Sequence, residues 1–455
     1  MLETRDPAAV QNWNDSAGCA PVRVVYPQTV QDLVGIVNDA TEYPSPLRAG
    51  GELHSLNSCF ATDGTLVMLK RFKDIGEPAN GRITVGAGVT MIELRDTLKN
   101  HRLQIEVVPE IGNATAGSVA CCGTKDASLG LSGLGQISST VVAVKMVDAN
   151  GNLAAVDDTA TSSPTMAEIR SSYGLLGVIY EVTFSTRALQ KLSYRYAWFK
   201  LDPLPTIKDV LGHADGFLGF LLPYHGSLIV ERRTLLDPAA KIRWIDRFKL
   251  AVRDWIWQYG STSITRLGPY NFWFWIFDRL VRISFVGPKG IRHLRAHRTD
   301  AMIKFEHDRH YYFDFAFWAI PVSQWHVVIP QYLKFCKEFL RRTGFRPALP
   351  TEIYFIRKDN HSLLSFSAKE DVFTLDMVDC RPRRRFDESR WREMNQEFNH
   401  FVVRHGGRPL FNQTKELSRG IVLKALREDW SRFGALRAQQ DPAGRFLNDF
   451  FRALL

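Results

Sequence analysis

Two glycine-bearing segments constrain this chain most: RAGGELHS at 48–55 and IGNATAGSVACCGT at 111–124, the second almost empty of bulky side chains. Glycine, alanine, serine, threonine and cysteine let a backbone approach something bulky and polar, so the second stretch reads as a ligand-contacting loop. The first moves from a short extended run into a glycine turn. No G-x-G-x-x-G opens a helix after the first strand, so the nucleotide fingerprint of a Rossmann unit is missing and a nicotinamide cofactor is disfavoured.

Short elements alternate around these loops. In TVQDLVGIVNDATEY, Val30, Leu33, Val34 and Val37 recur at helical spacing until Pro44 and Pro46, which predicts a helix. TLVMLK (65–70) and RITVGAGV (82–89) read as strands, and MIELRDTLKNH (91–101) as a helix. VVAVKMVDANGNLAAV (141–156) gives two strands about an Ala-Asn-Gly turn, and LLGVIYEVTFSTRAL (175–189) a further strand. Beyond residue 190 aromatic content rises. Helical runs (LPTIKDVLGHA, VIPQYLKFCKEFLRRTG, IVLKALREDW) alternate there with strand-like runs (GSLIVERR, YYFDFAFWAIP, EIYFIR, LLSFS, VFTLDMV). The fold class is therefore α+β, and 455 residues suggest two or three domains.

Composition removes several alternatives. With 45% hydrophobic and 23% charged residues the chain is globular. Six scattered cysteines read as reduced thiols, and His293, His297, His307 and His310 lack the carboxylates or cysteines of a metal site, so no metal is expected. The N-terminus has no basic start followed by an apolar core, which predicts a cytoplasmic protein. No uninterrupted apolar run reaches about 18 residues, so no spanning helix is expected. A net charge of +10 would favour acidic partners, but runs such as Arg381, Arg383, Arg384 and Arg385 lack interleaved aromatics and read as solvated surface; no nucleic-acid partner is expected.

The segment 255–285 carries Trp257, Tyr259, Tyr270, Phe272, Trp273, Phe274, Trp275 and Phe277 beside Arg266, Arg279 and Arg282. Such a mixture suits peripheral contact with a membrane interface. A buried cap-domain helix or the lining of an apolar substrate pocket is the favoured reading of the same residues.

The order of four stretches, RAGGELHS, IGNATAGSVACCGT, YGLLGVIYEVTF (173–184) and HGGRPLFNQTK (405–415), resembles the FAD-linked oxidases of the vanillyl-alcohol-oxidase superfamily, and within it the aldonolactone and alditol oxidase branch with its D-arabinono-1,4-lactone oxidase-like C-terminal part. The resemblance implies a PCMH-type FAD-binding domain of two subdomains at 1–190, a substrate or cap domain with an antiparallel sheet at 191–400, and a segment, 401–455, that returns to the FAD domain. It implies FAD contacts at Arg48, Ala49, Gly50, Gly51, Glu52, Leu53, His54 and Ser55, then at Gly112, Gly117, Ser118, Cys121, Cys122, Gly123 and Thr124, and at Ile137, Gly174, Gly177 and Val178. Glycines 50, 51 and 117 would let backbone N–H groups meet a pyrophosphate.

His54 stands where members of this family attach FAD covalently through a ring nitrogen to the C8 methyl. Where the family has Gly-Thr-His-Gly this chain has Cys122, Gly123, Thr124 and Lys125, and Gly123 falls where residue size is thought to control oxygen access, which favours an oxidase. Glu352 matches the family glutamate and Tyr354 replaces its arginine; alternation along a strand points both to one face. Lys415 arrives two residues later than the family lysine, so Asn412, Gln413 or Lys415 would face the flavin. The implied activity is oxidation of an alcohol or lactol carbon of a small-molecule substrate (a polyol, sugar derivative or prenyl-linked sugar) by hydride transfer to flavin N5, with molecular oxygen or another electron acceptor. An oxidative tailoring step on a natural product, or a catalytically idle, membrane-associated flavin-binding partner, are the alternatives.

Overall fold

The computed structural model describes residues 3–5, 9–127, 129, 134–260, 262–263 and 271–455; Arg266 and Tyr270 lie outside the described residues. Two larger sheets, beside the short pair Val10–Gln11 and Gly18–Cys19, form the first part of the chain. One has the order Glu3–Arg5, Arg23–Tyr26, Thr65–Met68, Leu47–Gly50, with the last three strands parallel. The other runs Leu153–Asp157, Val141–Val147, Val178–Ala188, Arg82–Gly86, with Leu103–Ile105 paired to the far end of Val178–Ala188.

Helix α1, Val30–Asn38, begins at a capping box between Thr29 and Asp32 and buries Leu33, Ile36 and Val37. It stops short of Tyr43 because the Asp39 carboxylate accepts from the N–H groups of Thr41 and Glu42 and turns the chain. Helix α2, Met91–Asn100, is started the same way by Thr90 and Glu93. Inside the small-residue loop lies one short helix, α3, Ala116–Cys121.

The second part is organised by an eight-stranded sheet in the order His293–His297, Lys191–Lys200, Ser227–Leu235, Gly216–Leu222, Thr351–Ile356, Val372–Thr374, Trp318–Pro321, Arg408–Pro409. Its two faces are covered by different helices. Helix α4, Trp244–Trp255, and helix α5, Asn271–Val286, lie on one; on that side Phe277, Val281 and Phe285 pack with Tyr196, Phe220 and Tyr354. Helix α6, Trp325–Thr343, and helix α7, Glu388–Arg404, lie on the other, where Val328, Tyr332 and Phe398 pack with Phe217, Ile353 and Phe355. Alternation along Thr351–Ile356 thus sends neighbouring residues into different cores.

The chain ends against its beginning: Trp430, Phe433, Phe451 and Leu454 share a core with Val119, Ile169 and Phe184. Five local expectations are corrected. LLSFS (363–367) forms turns, and YYFDFAFWAIP divides at Phe317 into Tyr311–Ala316, paired with Met377–Pro382, and Trp318–Pro321. The helix of IVLKALREDW breaks at Arg427, which has φ of 52°, into Arg419–Leu426 and Glu428–Gln440. LPTIKDVLGHA keeps only Ile207–Leu211 as helix, ended by Gly212 at φ of 58°. Arg381 is not solvated surface but buried against Asp379 at 2.6 Å. Among the described residues no helix is long and apolar enough to cross a membrane.

Candidate active site

A cavity of about 1020 Å³, mouth included, opens where the two small-residue loops meet. The 48–55 turn supplies Arg48, Ala49, Gly50, Gly51, Glu52, Leu53, His54 and Ser55 to its wall, and the 111–124 loop supplies Gly117, Ser118, Cys121, Cys122 and Thr124. Gly174, Gly177, Asn412 and Gln413 complete the residues singled out from the sequence that line it. The close crossing of the loops depends on the missing side chain at residue 51, where a Cβ would stand 2.2 Å from the Thr115 hydroxyl. Arg48 is buried and donates to the carbonyls of Cys59 (2.9 Å), Tyr173 (2.6 Å) and Phe446 (3.1 Å), so it ties three segments together behind the wall.

Besides Arg48 Nε, three polar atoms of the wall, His54 Nδ1, Asn412 Oδ1 and Gln413 Oε1, are buried without a hydrogen-bond partner among the described residues. Leaving a buried polar atom unpaired costs about 1–3 kcal/mol, so their convergence on one cavity marks a place for a ligand with polar edges. Burial pushes the His54 imidazole down to about 4, which keeps the ring neutral at physiological pH. The glycine-lined loops, the cavity and these atoms fit a dinucleotide such as FAD.

Some singled-out residues stand elsewhere. Gly112 packs against Ile92, and Ile137 and Val178 are buried in hydrophobic cores behind the wall. At Gly123 a Cβ would lie 2.3 Å from Leu410 Cδ1, so the glycine makes room for Leu410. The Lys415 ammonium is held at 2.5 Å by the buried Asp314, which also accepts from Trp391 Nε1 at 2.9 Å and the Tyr312 hydroxyl at 3.1 Å. Of the histidines, His293 meets Ser193, His297 meets Asp300 and His307 meets Asp15; among the described residues no group of three or more side chains could hold a metal ion. None of the six cysteines forms a disulfide.

Glu352 and Tyr354 lie outside the cavity wall, in a buried ionic cluster that continues from the Thr124 end of the loop. The Tyr354 hydroxyl donates to Glu110 Oε2 at 2.8 Å and lies 3.4 Å from Glu352 Oε2. Arg233 holds the other Glu110 oxygen at 2.5 Å and also pairs with Glu231, which Arg253 grips at 2.9 Å. Lys125, next to Thr124, pairs with Asp376 and lies over the Tyr354 ring at 4.2 Å and the Phe317 ring at 4.9 Å.

Burial works on both ends of this cluster, pushing Lys125 down to about 8 and raising Glu352 above the usual carboxylate range, against the pull of Lys125. Buried groups brought toward neutrality in this way are equipped to move protons. Glu110, Asp376 and Arg233 were not found by the sequence reading, and Lys125 entered it only as the residue in place of a family glycine, with no role assigned.

Comparison with known proteins agrees with this geometry. A family model described as "FAD binding domain" matches residues 21–157, and one described as "D-arabinono-1,4-lactone oxidase" matches 240–454. L-gulonolactone oxidase of Bos taurus is 24% identical, over 97% of this chain and 96% of that protein. L-gulono-1,4-lactone dehydrogenase of Mycobacterium tuberculosis is 23% identical over 98% of both. In fold the chain is similar to cholesterol oxidase from B. sterolicum, with a TM-score of 0.76 and 16% identity over 100% of this chain and 97% of that one.

Proposed function

Because the chain belongs to the vanillyl-alcohol-oxidase superfamily of FAD enzymes and joins an FAD-binding domain to a lactone-oxidase region, we propose that it oxidises a CH–OH carbon of a sugar-derived lactone, lactol or polyol and passes the electrons to oxygen. The observation that carries this reading is the convergence of three unpaired polar atoms, from His54, Asn412 and Gln413, on a cavity walled by both glycine-rich loops. FAD bound there supplies the two-electron acceptor.

The protein's own residues would do the rest. Gly50, Gly51 and Gly117 present backbone to the pyrophosphate, and the neutral His54 ring offers an unpaired nitrogen for a covalent link. Asn412 and Gln413 orient the ring system, and Glu352, Tyr354 and Lys125 handle the substrate hydroxyl proton. A phenol at 354, already engaged with Glu110, favours a less polar substrate than a free sugar acid, such as a prenyl-linked sugar. The reading divides the chain into an FAD-binding domain at 1–190, a substrate domain at 191–400 and a returning segment at 401–455, supported by the packing of Trp430 and Phe451 against Phe184. It also places the protein in the cytoplasm with a peripheral membrane contact through 255–285, supported by the aromatic helix surface there.

The test is anaerobic mixing of the holoprotein with aldonolactones, alditols and prenyl-linked sugars while flavin absorbance is followed. Bleaching by one of them, with colour and peroxide returning on readmission of oxygen, is the expected result. A flavin that no sugar-derived alcohol bleaches would overturn the reading.

A further inference from the structure

Helix α4 is amphipathic the wrong way round for a helix facing water. Its inward side buries Asp246 and Arg253, the latter paired with Glu231, while Trp244, Phe248 and Trp255 recur at intervals of four and seven on the outward side. Trp244 is 77% exposed. Helix α5 has an apolar inward side but exposes large apolar side chains as well. Phe274, Phe277, Asp278 and Val281 are buried, and Phe272, Trp275 and Ile283 point outward. Of the twelve large apolar side chains exposed among the described residues, eight fall between 244 and 283. Scattered exposed apolar residues need no explanation, but this concentration on neighbouring helices of one sheet face does.

Charge decides what covers it. Among the described residues from 241 to 289, every exposed charged side chain is basic: Lys241, Arg243, Arg247, Arg279, Arg282 and Lys289. The acids are withdrawn. Asp246 and Asp278 are buried, Asp278 holding Arg346 at 2.9 Å, and Asp254 is half-buried against Arg253. Arg279 lies over the outward Trp275 ring at 3.9 Å and Arg282 over Trp198 at 4.7 Å, so the guanidinium groups sit at the level of the rings. A second copy docked face to face would set like charges against each other. Aromatic rings at the depth of acyl chains with a ring of arginine and lysine at headgroup level match an anionic bilayer.

We propose that the outward face of α4 and α5 docks on an anionic phospholipid surface. This deepens the peripheral contact of the functional reading and rests on that part of it alone. The docked helices cover the sheet face that also carries Tyr354, and the chain of pairs Arg253, Glu231, Arg233, Glu110, Tyr354 runs from beneath α4 to the substrate side.

The experiment is co-sedimentation of the holoprotein with vesicles of phosphatidylcholine alone or mixed with phosphatidylglycerol. Binding to the mixed vesicles, weak or no binding to phosphatidylcholine, and release by salt are expected. The triple variant Trp244→Ser, Phe248→Ser, Trp275→Ser should bind at least about tenfold more weakly while keeping its flavin absorbance, melting temperature and turnover of a soluble substrate. Parent protein that ignores anionic vesicles, or a triple variant that binds as well as the parent, overturns the proposal. So does a parent dimer that the triple variant dissolves, which would assign the face to a second copy. None of these outcomes depends on whether a sugar alcohol bleaches the flavin.

Discussion

The Lys125 ammonium lies 4.2 Å from the centre of the Tyr354 ring, across 229 residues of chain, and joins the end of the 111–124 loop to the eight-stranded sheet. With burial lowering it to about 8, Lys125 is within reach of the neutral form that accepts a proton. Lys125→Met is expected to lower kcat by about 10²–10⁴-fold with flavin content unchanged. In the parent, kcat/KM should rise with pH through about 8, because the deprotonated amine is the active form, and that limb should vanish in the variant. A Lys125→Met profile that keeps the limb would assign the ionisation to another group.

His54 Nδ1 is buried, unpaired and neutral at physiological pH, the state in which an imidazole nitrogen is a nucleophile. Acid precipitation of the parent should leave yellow colour in the pellet. His54→Ala should release FAD to the supernatant and lower the flavin's reduction potential. Colour in the supernatant of the parent itself would show that FAD is bound without a covalent link.

At residue 123 the issue is space. A new Cβ would meet Leu410 Cδ1 at 2.3 Å inside a packed core, and overpacking of that kind costs about 1–3 kcal/mol. Gly123→Ala should therefore lower the melting temperature while leaving unchanged the ratio of oxygen turnover to dye turnover. A selective loss of the oxygen reaction would restore the role of oxygen gate to this position.

The ligand side of the molecule was legible because it is local. The 48–55 and 111–124 loops are contiguous, their glycines and the small residues of the second are there for a reason that acts residue by residue, and the capping boxes at Thr29 and Thr90 sit where the helical spacing begins. The ionic cluster around Tyr354 was not, because it is assembled by register. Glu110, Lys125, Arg233, Tyr354 and Asp376 meet only once Leu218 is paired with Tyr354 and Glu352 with Asp376 across the sheet, and spacing along the chain carries no trace of those pairings. Lys415 was drawn toward the flavin by its neighbours in sequence, whereas the buried Asp314, 101 residues away, takes it. The aromatics of 255–285 divided by helical period rather than as a block, Phe274 and Phe277 inward, Phe272 and Trp275 outward.

Asp126, beside Lys125, gives the fold a dependence on pH that runs opposite to ordinary acid denaturation. Burial raises its carboxyl from 3.8 to about 6, with the Arg298 guanidinium 3.7 Å away opposing the shift. The folded state therefore binds a proton that the unfolded chain has released between those two values, and stability falls as pH rises through that window. Above about 6 the ionised carboxylate is retained at a cost on the order of 3 kcal/mol relative to the protonated form. Asp126→Asn keeps the shape and removes the ionisation. Urea unfolding of parent and variant at a series of pH values from 4 to 7 should show the parent losing stability relative to the variant over that range, the difference levelling off above it. Parallel curves would mean that Arg298 holds Asp126 ionised throughout, and that the buried loop carries its negative charge at every pH at which the enzyme works.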